Sequence, residues 1–177
     1  MTPAGAVLQA VARLDAARVV VLIDGGAGAG KTTLAEQVVA GWAGPVQLVG
    51  MDSLYPGWDG LAAGSAIVAE QVLRLVDPGY TRWDWGRSAP AEWVSLDPRV
   101  SLVVEGCGAL TPRNRQRAHL GVWCELPATE RRRRAIARDG EVFAAHWDQW
   151  EAQEAAHWSA HRPWEFADLV IDPVSQL

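Results

Sequence analysis

The chain has 177 residues, 49% of them hydrophobic, and a formal net charge of −5. Length and apolar share fit one folded domain, residues 1–177, with a core of its own. The acidic balance argues against a polymer nucleic acid partner, and two cysteines, Cys107 and Cys124, are too few for a disulfide framework or a thiolate metal site.

Both cysteines read as small buried hydrophobes, which fits a reducing cytoplasm. The N-terminus has no basic stretch followed by a long apolar run, so a secretory signal is not expected. Val19–Ile23 is too short to span a bilayer, and no membrane partner is expected. Fifteen of the basic residues are arginine and one, Lys31, is lysine. Where arginine is used wherever either cation serves, a single lysine marks a position that arginine cannot fill.

Apolar periodicity predicts a first helix over residues 5–17. Val19–Ile23 is a continuous apolar run, as expected of a strand buried on both faces. A glycine-rich turn follows, then a helix from Lys31 to about Trp42, stopped by Gly41, Gly44 and Pro45. Val46–Met51 reads as a second strand. Ser65–Val76 reads as a helix with Ile67, Val68, Val72, Leu75 and Val76 inward. Residues 77–98 carry four prolines or glycines between aromatics before Pro98 and predict an irregular excursion or hairpin. Val100–Val104 is another buried strand. Thr111–Pro112 starts a helix, with threonine as cap and proline in the first turn. Gly121–Leu126 is a strand, Thr129–Asp139 and Glu141–Ser159 are helices broken near Gly140, and Leu169–Ile171 is a last short strand. Strands alternating with helices predict an α/β fold with a parallel sheet of about five strands, covered on both faces.

The turn after the first strand is Gly25-Gly26-Ala27-Gly28-Ala29-Gly30-Lys31-Thr32-Thr33. It fits the phosphate-binding pattern G-x-x-x-x-G-K-[ST], and its flanks are the required buried strand and helix. Glycines allow positive φ and bring backbone N–H groups close to phosphate oxygens. The helix that follows turns its partial positive charge toward the anion. Lys31 reaches the β and γ phosphates, and the Thr32 hydroxyl is a Mg²⁺ ligand. ATP and Mg²⁺ are the expected cofactors. The base-reading N-K-x-D motif of GTPases needs a second lysine, which the chain lacks. A chain this short with such a loop suggests a small-molecule kinase, which works by positioning and charge neutralisation.

Three further parts are then needed. Asp52, at the carboxyl end of the second strand, is placed where open α/β folds bind ligands and is the candidate base for an acceptor hydroxyl. Glu105, closing the strand Val100–Val104, is the candidate second Mg²⁺ residue. In the run Glu130–Arg138, Arg131, Arg134 and Arg138 fall on one helix face, suited to a polyphosphate. Arg134 is the candidate for the transferring phosphoryl group.

Taken in order, these segments resemble the uridine kinase family, within the wider nucleoside kinase and phosphoribulokinase group. Met51-Asp52-Ser53-Leu54-Tyr55 is similar to that family's Q-D-S-F-Y signature, which implies Asp52 as base and Tyr55 in the acceptor pocket. Trp83-Asp84-Trp85 is similar to its Y-D-F element, which implies a role in the base pocket. Val103-Val104-Glu105-Gly106 resembles its apolar-E-G strand end. Glu130–Asp139 resembles its R-x-x-R-x-x-x-R-D lid helix, which implies a short lid over about residues 129–142. Phe166–Ile171 resembles its final A-D-hydrophobic strand. The resemblance covers residues 19–172 and implies the P-loop NTPase fold and phosphoryl transfer from ATP to a small-molecule hydroxyl, as in uridine or nucleoside kinases, with acceptor-side excursions at about 53–64 and 77–98.

The chain departs from the family in three places. Trp58-Asp59 follows Tyr55 almost at once, so the ribose-binding role falls on Asp59. The family's pocket histidine has no counterpart, and Arg87 and Ser88 stand near its place. Gly140-Glu141-Val142 replaces a second lid arginine cluster. Arg87 would favour an anionic acceptor, or else pair with Asp84. Trp58, Trp83 and Trp85 either stack on the acceptor or pack the core, while Trp147, Trp150 and Trp158 read as packing the long helix to the body. Other acceptors (a sugar, pantothenate, a nucleoside monophosphate), a regulatory nucleotide-binding protein without transfer, and an ATPase serving a partner remain open alternatives.

Overall fold

In the computed structural model, which describes residues 1–172, Val20–Gly25 (β1) is the middle strand of a parallel sheet. It is flanked by Ser101–Glu105 (β5) and Leu120–Cys124 (β6), with Val46–Gly50 (β2) and Leu169–Ile171 (β7) at the edges, in the order β2-β5-β1-β6-β7. Leu22 pairs with Val104 on one side and Gly121 on the other.

Successive residues of β1 serve opposite faces. Val20 and Leu22 join a core with Leu61, Val68, Val72, Trp147 and Trp150. Val21 and Ile23 join a second core with Val7, Leu34 and Val38. A strand that feeds two cores has no polar face, hence the unbroken apolar run.

The second core is covered by α1 (Pro3–Val11) and α2 (Lys31–Ala40). The first helix begins and ends earlier than periodicity predicts. Thr2 caps it, its Oγ1 accepting from the Gly5 N–H at 3.1 Å, with Pro3 in the first turn. The first core is covered by α3 (Leu61–Ile67), by a π-helical turn at Val68–Val72, and by the second half of a long helix. The prediction of Leu75 and Val76 as inward is corrected here: they are 84% and 73% exposed. The π turn inserts one residue per turn and so dephases the 3.6 repeat, and the chain leaves the helix at Leu73 for a turn around Asp77 (φ 45).

Residues 77–98 contain an antiparallel hairpin, β3 (Gly79–Asp84) and β4 (Ala89–Ser95), separate from the main sheet. A short helix, α4 (Pro112–Arg115), starts at Thr111, whose Oγ1 accepts from Asn114 N. The long helix α5 (Ala128–His161) is bent at Gly140 (φ 68, ψ −153). Among the described residues no helix is long and apolar enough to cross a membrane. Cys107 and Cys124 are free and buried.

Candidate active site

The phosphate loop joins β1 to α2 at the carboxyl end of the sheet. Gly28 and Gly30 take φ of 79° and 89°, the left-handed region that glycine enters freely. Lys31 opens α2 and is buried; its Nζ donates to the Gly26 carbonyl at 2.9 Å and lies 3.5 Å from Cys107 Sγ. Burial would lower its pKa, but Glu105, Glu154 and Asp24 nearby hold it above the ordinary lysine range. The Cys107 thiol is pushed well up by burial and stays neutral.

Thr32 Oγ1 donates to Glu105 Oε1 at 3.2 Å. Burial, with the like charge of Asp52, raises the pKa of Glu105, and Lys31 opposes that shift. Two hard oxygens so close suit Mg²⁺, with the other positions left to phosphate and water. Among the described residues no group of three His, Cys, Asp or Glu could hold a metal unaided.

A cavity of about 580 Å³ opens beside the loop. Ala27, Gly28, Gly30, Lys31, Thr32 and Glu105 line it together with Asp52, Tyr55, Trp58, Trp85, Phe143 and Trp150. Arg138 and Asp139, on α5, complete the lining. Asp52 sits in the short 3-10 turn that continues β2. Tyr55 donates its hydroxyl to the Cys107 carbonyl at 2.8 Å and meets Trp150 edge-on at 4.8 Å. Trp58 lies 5.1 Å from Trp85, 5.7 Å from Phe143, and stacks on His146 at 4.2 Å.

Other residues singled out from the sequence lie elsewhere. Asp59 accepts from Gln149 Nε2 at 2.6 Å outside the cavity. Asp84 accepts from the Arg87 backbone N–H at 3.0 Å and closes the hairpin turn, with the exposed Arg87 at its tip. Trp83 is half-buried, its indole N–H without a partner. Gly25 and Ala29 are buried within the loop and Thr33 is exposed on α2.

Arg131, Arg134 and Arg138, expected on one face, part company. Arg134 Nε donates to Glu130 Oε1 at 2.7 Å. Arg138 is held by Asp139 and lines the cavity. Arg131 is buried, faces a second cleft with Gly26 and Trp158, and sits 5.2 Å over the Trp158 ring.

Sequence reasoning did not single out Asp24, Phe143 or Glu154, and it gave Trp150 a packing role only. Asp24 is fully buried at the end of β1 and accepts N–H bonds from Gly25, Gly108 and Leu110. Burial raises its pKa to about 7, against the pull of those bonds and of Lys31. Glu154 is 1% exposed, and no sequence signal separates it from the solvent-facing carboxylates of α5.

No family model matches the chain, and no curated protein matches it in sequence. Among solved structures it is similar to a possible uridine kinase from Bacillus stearothermophilus, with a TM-score of 0.66 and 18% identity over 96% of this chain and 97% of that one. It is also similar to a candidate fructose transport system kinase from Silicibacter sp. TM1040, with a TM-score of 0.57 and 19% identity over 97% and 99% of the two chains. The five-stranded parallel sheet with its β2-β5-β1-β6-β7 order is the fold of P-loop kinases.

Proposed function

We propose that the chain is a Mg²⁺-dependent kinase that transfers the γ-phosphoryl of ATP to a hydroxyl of a small, uncharged molecule with a planar or apolar body, as a nucleoside kinase does. The observation that carries this reading is one chamber lined by both half-sites: Lys31, Thr32 and Glu105, and with them the Asp52 carboxylate. Lys31 and the loop amides hold the β and γ phosphates. Thr32 and Glu105 hold Mg²⁺, which neutralises phosphate charge. Asp52 orients the acceptor hydroxyl and takes its proton. Arg138, in the cavity lining, is the lid cation for the transferring group.

The acceptor side is walled by Tyr55, Trp58, Trp85, Phe143 and Trp150, and the two cations in the chamber's lining, Lys31 and Arg138, are both taken up by the phosphates in this reading. Aromatic walls favour a flat or apolar body. A phosphorylated sugar or a nucleotide would bring charge with no free partner, since Arg87 lies at the hairpin tip. ADP release measured over nucleosides, sugars, pantothenate and nucleoside monophosphates tests this. An uncharged acceptor should stimulate turnover most. No stimulation by any compound, with ATP still bound, would replace the proposal by a regulatory nucleotide-binding role.

A further inference from the structure

The Ala27 peptide in the phosphate loop is gripped on both sides by one buried ion pair. Its N–H donates to Glu154 Oε1 at 2.6 Å, and its carbonyl accepts from Arg131 Nη1 at 3.2 Å. Arg131 and Glu154 are themselves joined at 3.1 Å, with side chains 6% and 1% exposed. Neither lines the chamber beside the loop. The pair therefore stands behind the loop, outside the concavity where phosphates would lie.

The two residues come from opposite sides of the Gly140 bend in α5. The pair thus closes the two halves of that helix on each other and ties both to the loop. Glu154 has two further donors: the Cys107 thiol at 3.2 Å and the Trp150 indole N–H at 3.1 Å. Cys107 Sγ also lies beside Lys31, and Trp150 is part of the acceptor wall. Four donors on one buried carboxylate leave it little freedom to move.

A phosphate loop works only if successive N–H groups converge, and that depends on the tilt of each peptide plane. Fixing the N–H and the carbonyl of one peptide fixes its plane. We infer that Arg131 and Glu154 are positioning residues, a clamp on the Ala27 peptide that sets the phosphate loop for the nucleotide. The inference rests on the proposed kinase function. It assigns Arg131 to the loop backbone, not to the phosphates.

Because the pair is neutral as a whole, replacing both members leaves net charge unchanged. Buried ion pairs exchanged for apolar residues of similar volume often keep stability. The test is the double variant Arg131→Met/Glu154→Met in the full chain, with MgADP as probe in calorimetric titration and Tm measured alongside. The expected result is a lower Tm, since the Ala27 N–H, the Trp150 indole N–H and the Cys107 thiol lose their acceptor, and an MgADP affinity at least about tenfold weaker in the protein that remains folded. A double variant that binds MgADP as the wild type does overturns the clamp. Should the variant not fold, amide exchange in the wild type decides. Ala27 N–H should exchange about two orders of magnitude more slowly than a free loop amide, and free-loop exchange overturns the inference. A wild type that binds no MgADP sinks the kinase reading itself, and the clamp with it.

Discussion

Trp85 donates its indole N–H to the backbone carbonyl of Asp52 at 2.8 Å. The bond ties the β3–β4 hairpin, which lies off the main sheet, to the turn that presents the candidate base. It also sets the Trp85 ring against Trp58, so one contact shapes the acceptor wall and steadies the carboxylate. Trp85→Phe keeps most of the aromatic area and removes a bond worth about 1 kcal/mol. The acceptor KM should rise several-fold, while MgADP affinity stays within twofold. An unchanged acceptor KM would show that the hairpin does not order the site.

Asp52→Asn removes the proton acceptor and little else, because the Asp52 side chain is exposed to the cavity and its backbone carbonyl still takes the Trp85 bond. Turnover should fall by about 10²–10⁴, with MgADP affinity nearly unchanged. Equal losses in kcat and nucleotide affinity would assign Asp52 to the Mg²⁺ site beside Glu105 and not to the acceptor.

What could be read from the sequence was local chemistry. The loop at Gly25–Thr33 has its own glycine and lysine signature, and β1 its unbroken apolar run. The break in α5 was legible because Gly140 stands in an otherwise helical pattern. What could not be read depends on which residues meet in space. Arg131, Arg134 and Arg138 have the same spacing whether they face a phosphate, Glu130 or Glu154, and only the fold of α5 onto the loop separates them. Glu154 is one helix turn beyond Trp150 and looks like a solvated carboxylate until the fold of α5 sets it against the Ala27 N–H. Leu75 and Val76 were misplaced because a π turn leaves no mark in hydrophobic periodicity. The hairpin tip is similar: Asp84 and Arg87 meet through a backbone N–H, a turn bond independent of the arginine's charge.

Two buried groups should give stability opposing slopes in pH. Burial raises Asp24 from its ordinary 3.8 to about 7, so the folded state holds a proton that the unfolded chain has released. Stability from this group is therefore present below about 3.8 and is lost as pH rises to about 7. Burial, with the charge of His161, lowers His157 from 6.5 to about 4, and its Nε2 has no partner. Stability from that group is present above 6.5 and is lost as pH falls through about 4. Between these limits the two nearly cancel in the wild type. In Asp24→Asn the negative slope disappears. The amide should be less stable than the wild type at pH 5, since its NH₂ cannot accept from Leu110 N–H, and the gap should narrow by pH 8 by up to about 3 kcal/mol. Urea unfolding at both pH values checks this, and a gap that stays constant or widens refutes the assignment. His157→Phe should flatten the acid limb.

Gly28 and Gly140 both have positive φ, 79° and 68°, but their surroundings differ. A Cβ on Gly28 would lie 2.1 Å from the Arg131 carbonyl oxygen, whereas one on Gly140 would meet nothing within 4 Å. Gly140→Ala therefore meets no clash and carries only the backbone cost of an alanine at φ 68, ψ −153, a region kept almost wholly to glycine, about 1–3 kcal/mol. It should lower Tm by a few degrees and leave MgADP affinity within threefold. Gly28→Ala carries a positive-φ cost of its own and must also push back the first turn of α5, which holds Arg131 against the Ala27 peptide. Its MgADP affinity should fall at least about tenfold more than that of Gly140→Ala, in excess of any difference in Tm. If both alanines weaken MgADP equally, the first turn of α5 does not govern the loop, and the closeness of Arg131 to Gly28 has no consequence for nucleotide binding.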